Sequence, residues 1–563
     1  MPEKWNSNGT FHLGINMAGA VSAGAYTAGV LDFLVEALEQ WYAAKASGSP
    51  AVPMHDLSLD VVSGASAGGM CASIAAVMVQ GNFQHIRNPE DDSIKDTTNK
   101  FYESWVNKID IEWLLQARDL ADGGPVTSLL DSTIIDEIAD YAIAPVPGAE
   151  WRPYISEALT LFLTLTNVRG VPFSLNGGAE GSAEESIAYY ADRLEFETVR
   201  GTAKPRSDSA KPLPVGTCAG AWLLLKEAAK ATGAFPIFLA PRQIDRVAKD
   251  YLYSPWEPIS NPHPDLVPPH WALDAQDTYR TLNVDGGVTN NDPFRLAHDF
   301  LAVRNPLAWL NPDTGILENP RDAGTANCAV LTVAPFPAES LFDGQYDFAS
   351  NSSVFGMLPN LFTVLIGQSR FLGESLSSVV NSTGFSRFVL APSDPENTQQ
   401  NALQCGLLAA FGGFFERGFR AHDYQLGRRN CQKFLRDYFR LSADNPIIAA
   451  GMARVDPAAR DAITARFDPG QTHSLPIIPL CGTAEPEVPR PEPARIAQAR
   501  VGDIVNWIVS RLHSIAKPLL DSALGHGVES WTARQAVDVL ISTAGRAKFK
   551  EILNRELQGF IAG

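Results

Sequence analysis

The sequence predicts an α/β protein, a central and mainly parallel sheet sandwiched by helices, with further helices towards the C-terminus. Two observations lead there. Residues 11–16 form an extended run that passes through a loop of small residues into apolar positions at helical spacing over 25–40. Residues 59–64 form a β-branched run that turns sharply at Ser66 into a buried helix over 70–79. Strands alternating with helices are the pattern of parallel sheets covered on both faces, and such sheets keep their sites at strand C-terminal ends. A third run, 280–284, ends at such a place on Asp285-Gly286-Gly287.

Taken in order, the first helix carries Val30, Leu31, Leu34, Val35 and Leu38 on one face. The loop before it, Gly19-Ala20-Val21-Ser22-Ala23-Gly24, offers backbone N–H groups at a helix N-terminus, where an anion is stabilised. A phosphate cradle and an oxyanion hole both use such a loop, although G-x-G-x-x-G and a P-loop lysine are absent. Gly64-Ala65-Ser66-Ala67-Gly68 is a G-x-S-x-G pattern in the strand–turn–helix context that it requires. Gly64 and Gly68 leave room for strand and helix to close on the turn, which projects the Ser66 hydroxyl above the sheet edge.

Residues 81–145 hold aromatic-rich helical pieces at 101–106, 111–115 and 129–142, an insertion capping the sheet with a lid as one role. A strand follows at 160–167, with a turn at 169–173. Residues 187–199 and 201–214 have the look of a hairpin arm with a mobile loop. Residues 222–232 form a helix, and 233–241 is too proline-rich for regular structure. Asp285-Gly286-Gly287 fits a strand-end carboxylate and equally a hairpin turn, so the motif alone leaves both readings. Another strand is expected at 329–334 and helices at 358–379, 403–417 and 419–439, the last with Arg428 or Arg429 paired to a carboxylate. A proline-rich linker or strap spans 476–493, and amphipathic helices span 501–520 and 531–557.

The 563 residues are 45% hydrophobic and 19% charged, with a net charge of −18. That balance argues against a nucleic-acid partner and against electrostatic capture by anionic lipid, so any transient membrane-surface contact is hydrophobic and local. The six cysteines (Cys71, Cys218, Cys328, Cys405, Cys431 and Cys481) lack metal-type spacing and read as buried free thiols. The first residues show no basic-then-apolar signal, and no uninterrupted apolar run reaches the roughly 18 residues of a membrane span. The expectation is a soluble, cytoplasmic chain without metal or cofactor.

The order and spacing of the 19–24 loop, the Ser66 elbow and Asp285-Gly286-Gly287 resemble the patatin-like phospholipase family over residues 10–300. Ala25-Tyr26-Thr27-Ala28-Gly29-Val30-Leu31 and Ala231-Thr232-Gly233-Ala234-Phe235-Pro236 resemble it too. The resemblance implies a three-layer fold: a catalytic domain at 10–310 with its insertion at 81–155, the rest of the core at 311–440, and a C-terminal helical extension at 441–563. It implies hydrolysis of lipid or other acyl esters by a Ser66–Asp285 dyad with no histidine in the relay. Gly19, Ala20, Val21 and Ala67 would form the oxyanion hole, with Gly64, Gly68, Gly286 and Gly287 as motif glycines. The family loop usually reads G-G-G-x-R/K-G; here two glycines and the basic residue are absent, and the backbone donors survive if φ stays negative. Two rivals stand beside this reading. One is an α/β-hydrolase triad in the order Ser66, Asp285, His422, although His422, beside Arg420 and Asp423, reads more simply as part of a structural network. The other is a catalytically weak scaffold of the same fold.

Overall fold

The protein's structure is a computed structural model that describes residues 4–5, 9–48, 51–144, 146, 151–175, 185–200, 204–206, 209–217, 219–252, 268–313, 315–336, 348, 357, 384–396, 402–524 and 543–562. The helix expected at 358–379, the start of the one at 531–557, and Cys218 lie outside the described residues.

The chain runs β1 (Thr10–Met17), α1 (Gly24–Ala46), β2 (Asp56–Gly64), α2 (Ala67–Met78), α3 (Thr133–Ala142), β3 (Ile155–Leu175), β4 (Glu185–Val199), β5 (Lys211–Pro214), α4 (Ala221–Thr232), β6 (Arg242–Val247) and β7 (Thr278–Asp285). It continues through α5 (Phe294–Arg304), β8 (Cys328–Val333), β9 (Arg387–Leu390), α6 (Arg417–Asp437), α7 (Gln498–Leu524) and α8 (Thr543–Glu556). The main sheet has the order β9-β8-β1-β2-β3-β4-β5, with β7 joined to β3 and β6 to β7. Strands β9, β8, β1, β2 and β3 are parallel neighbours. Helices cover both faces, so β1 is buried almost throughout and β8 wholly, as parallel strands must be.

Two expectations are corrected. The turn read at 169–173 is a bulge inside one long strand: β3 carries on to Leu175, with Gly170 at φ +72° and a register shift between Thr166 and Val171. Between those pairs β3 advances five residues while β4 advances two, and the left-handed glycine helps the strand take up the three extra residues before pairing resumes. Strand β4 forms its hairpin with β3, and β5 of the 201–214 stretch then adds parallel to β4.

Helix α6 lies against α1 because each helix offers a glycine to the other's backbone. A Cβ on Gly29 would stand 2.0 Å from the Tyr424 carbonyl oxygen, and one on Gly427 2.2 Å from that of Tyr26. At that closeness Arg428 of α6 reaches two buried acids of α1, donating to Asp32 and, at 2.6 Å, to Glu36. Arg429 pairs with Glu487 instead. The 476–493 stretch is a strap whose Ile477, Ile478 and Leu480 are buried, and Gln432 of α6 fastens it at Ala484, Pro486 and Val488. A second apolar cluster joins Ile109, Leu114 and Ile138 of the 81–145 insertion to Val501, Ile504 and Leu557. Arg511 of α7 locks that union with a two-pronged pair to Asp119 and a hydrogen bond to the Leu129 carbonyl. Among the described residues one helical stretch, Val21–Ala46, is long and apolar enough to cross a bilayer, and 94% of its apolar window is buried in this core. Cys71, Cys328, Cys405, Cys431 and Cys481 are free and buried.

Candidate active site

β2 delivers the chain to Ser66, which sits at φ 52° and ψ −130° immediately before α2. Such a conformation is strained for a side-chain-bearing residue and persists only when its surroundings hold it. Here the Ser66 N–H donates to Thr232 Oγ1 at 2.9 Å, and the helix begins with Gly69 N–H to Ala65 and Met70 N–H to Ser66. A Cβ on Gly64 would meet the Gly68 carbonyl at 2.5 Å, and one on Gly68 the Met17 carbonyl at 2.2 Å. Both motif glycines are therefore demanded by backbone approaching backbone.

β7, antiparallel to β3, ends on Asp285 beside this elbow. The Ser66 hydroxyl donates to Asp285 Oδ2 at 2.6 Å. Asp285 Oδ1 accepts from Gly287 N–H at 2.7 Å, its own N–H donates to Ala234, and Thr166 donates to its carbonyl. Gly286 lies where a Cβ would stand 2.1 Å from the Thr164 carbonyl, and Gly287 where one would stand 2.5 Å from Asn291 Oδ1. Asp285 is only 3% exposed. Burial pushes its carboxyl up to about 7, against the smaller downward pull of the Ser66 and Gly287 hydrogen bonds.

The 19–24 loop passes the same point, with one correction to its expected donors. The Gly19 N–H donates to the Asn291 carbonyl at 3.1 Å, so it does not face an oxyanion. Gly19 serves by its size: a Cβ there would meet Asn291 Oδ1 at 2.1 Å and Ser66 Cβ at 3.0 Å. Among the described residues the N–H groups of Ala20, Val21 and Ala67 donate to no protein acceptor. Val21 sits at φ 47°, so the negative φ on which the loop's donors were expected to depend is not kept there, although its N–H still meets no protein acceptor among the described residues. Ser22, a residue that the motif reading passed over, holds it there. Its hydroxyl donates to the Ala410 carbonyl at 2.6 Å and accepts from Gly413 N–H at 3.0 Å.

Ser66 and Asp285 line one end of an apolar pocket of about 920 Å3, counting the part that opens to solvent. Val21, Ala67 and Met70 line it near the serine; Trp105, Leu114 and Ile138 come from the insertion; Phe235, Phe238, Phe411 and Phe414 close it. The insertion thus walls the site. His422 is hydrogen-bonded to Asp423, whose carboxylate accepts from the N–H groups of Gln404 and Cys405. Among the described residues no histidine stands between Ser66 and Asp285, which bond directly. Thr232 and Ser22 fall inside stretches that carry the family resemblance, but their roles, like that of Asn291, are not legible locally because each acts through residues far along the chain. Among the described residues no three His, Cys, Asp or Glu side chains gather as metal ligands.

A strained serine elbow on a mainly parallel α/β sheet, with a strand-end aspartate against its hydroxyl, defines the class: a three-layer α/β protein with a serine at a strand–helix turn. Residues 16–298 match the family model described as patatin-like phospholipase, and the chain belongs to that family. A relative from Sinorhizobium fredii, described as uncharacterized protein y4iI, is 34% identical over 561 residues, 92% of this chain and 77% of its own. A solved structure, VipD from Legionella pneumophila, aligns over 96% of this chain and 90% of its own. Its TM-score is 0.18 at 10% identity, too low for the likeness to carry weight. Family membership supports lipid acyl hydrolysis as the general chemistry.

Proposed function

We propose that this protein is a serine hydrolase of lipid carboxylic esters that works through a Ser66–Asp285 dyad and an acyl-enzyme. The observation that carries the reading is the 2.6 Å hydrogen bond from Ser66 to a carboxylate whose proton affinity lies near neutrality, at the end of an apolar pocket. An ordinary aspartate, titrating near pH 4, is a poor base at pH 7; one pushed up to about 7 accepts a serine proton far more readily. Ser66 Oγ attacks the ester carbonyl as Asp285 takes its proton. The tetrahedral oxyanion is held by the N–H groups of Ala20, Val21 and Ala67, and the positive end of α2 adds to them. Collapse expels the alkoxide, which receives the proton from Asp285. Water, deprotonated in turn by Asp285, then releases the acid. The pocket takes the acyl chain, and apolar contact is its means of doing so.

A fluorophosphonate probe with mass mapping tests the reading: label on Ser66 supports it, and an unlabelled protein with no turnover hands the case to the scaffold. The pH profile is a second test. With Asp285 as base, kcat/KM climbs about tenfold per pH unit below 7 and levels off above it. A profile flat from pH 5 to 8 would remove Asp285 as the base. His422→Ala, if folded, keeps most activity; a variant as dead as Ser66→Ala would restore the triad.

A further inference from the structure

A second cavity opens where β9, α5 and the segment leading into β8 meet, and it shares no lining residue with the acyl pocket. Phe294, Arg295, His298, Glu318, Arg321 and Arg387 line it. Two of its three guanidinium groups are matched by one acid each: Arg295 Nε donates to Asp299 at 2.8 Å, and Arg321 to Glu318 at 2.7 Å. His298 shares those acids, with Nδ1 3.0 Å from Asp299 and Nε2 3.9 Å from Glu318. Arg387 has no such match. It lies over the Phe294 ring at 4.3 Å, and its Nη1 is buried without a hydrogen-bond partner. The charge of Asp292 reaches it, but that carboxylate accepts from Asn16 and makes no ion pair with Arg387 among the described residues. Burial, aided by the charge of Arg321, holds the Arg387 guanidinium below its usual proton affinity.

A half-buried guanidinium with no ion pair and one nitrogen sealed from water is an unfavourable arrangement unless something supplies negative charge beside it. Its planar fork matches an oxyanion in two-pronged fashion, and Arg295 and Arg321 each keep N–H groups that their acids do not use. The chain carries a net charge of −18, so these three guanidinium groups around one cavity are not the edge of a basic surface. The same net charge repels polyanions and leaves a small ion as the fitting occupant.

We propose that the cavity between Arg295, Arg321 and Arg387 binds a small tetrahedral oxyanion of the phosphate class. Bound there, it ties edge strand β9 to α5, the helix that follows the Asp285 turn. The ion is either free phosphate or the phosphomonoester end of a small molecule, since both present the same three oxygens.

The full chain is melted in 0–20 mM inorganic phosphate against chloride of equal ionic strength, with glycerol phosphate as a parallel arm. A saturable rise in Tm of roughly 2 °C is expected in phosphate. A rise in phosphate alone identifies the free ion, and an equal or larger rise in glycerol phosphate identifies the ester. Arg387→Met removes an unpaired charge, so in chloride it melts no lower than wild type, and it loses the phosphate response. Arg321→Gln weakens that response, whereas Arg555→Gln, an exposed change elsewhere, keeps it. No phosphate-specific rise in wild type, the same rise in Arg387→Met, or an Arg387→Met that melts well below wild type in chloride would each overturn the proposal.

Discussion

Ser66→Ala is expected to abolish hydrolysis of a p-nitrophenyl acyl ester, a loss of roughly 10⁴-fold or more, and Asp285→Asn to fall nearly as far. Asparagine keeps the shape of Asp285 and its contact with Gly287, but its amide cannot take the serine proton. The two residues act as one unit through a single hydrogen bond, so the double variant is scarcely worse than either single one. Stability separates this result from misfolding. A buried carboxyl raised to about 7 binds its proton more tightly folded than unfolded, so folding stability falls as pH climbs from about 4 to about 7. Above pH 7 the wild type carries a buried carboxylate with hydrogen bonds but no cation beside it among the described residues, and Asp285→Asn should melt no lower than wild type there. A folded Asp285→Asn variant that retains wild-type turnover would defeat the dyad.

Arg428→Ala is expected to lower stability by about 3–5 kcal/mol, the usual effect of removing one partner from a buried charge network. Arg428 is 2% exposed and serves Asp32 and Glu36 together. Burial alone would raise both acids; Arg428 reverses that, joined by His85 at Asp32 and by Thr483 and Arg87 at Glu36, and both titrate below their ordinary range. Without Arg428 they stay buried with weaker partners. Arg428→Lys recovers only part of the loss, since an ammonium cannot reach both acids in fork geometry. The network has its own pH signature. Burial pulls His85 down, but its hydrogen bonds to Asp32 and Glu39 and their charges outweigh that and push it up to about 9. Its contribution is therefore full below about pH 6.5 and fades as pH rises through 9. A melting temperature unchanged by Arg428→Ala would show that the α1–α6 contact does not depend on this network.

The sequence reads well where one short stretch contains its own cause. The elbow is local: a β-branched run, small residues around Ser66 and an apolar helix leave few alternatives, and β2 and α2 form where that pattern puts them. The strand ahead of Asp285 and the strand ahead of the 19–24 loop are legible for the same reason. The bulge in β3 was not, because Arg169-Gly170-Val171-Pro172 has the chemistry of a turn. Only the pairing of β4 along both halves of β3 keeps that chain extended. The Gly19 N–H was misassigned because its acceptor, the Asn291 carbonyl, is supplied from beyond β7.

By itself, then, the sequence determined the strand–turn–helix units, the identity of the serine and the aspartate, and the need for glycine beside each. These follow from backbone sterics over a few neighbouring residues. The tertiary structure alone decided that Ser66 and Asp285, 219 residues apart, share a hydrogen bond. It also decided that burial pushes the carboxyl up to about 7, that the Gly19 N–H is taken by the Asn291 carbonyl while those of Ala20, Val21 and Ala67 meet no protein acceptor among the described residues, and that the apolar pocket beside Ser66 draws its walls from the insertion and from residues beyond 400. Desolvation and pocket shape are sums over every element that closes on a point, and no local stretch of chain contains that sum.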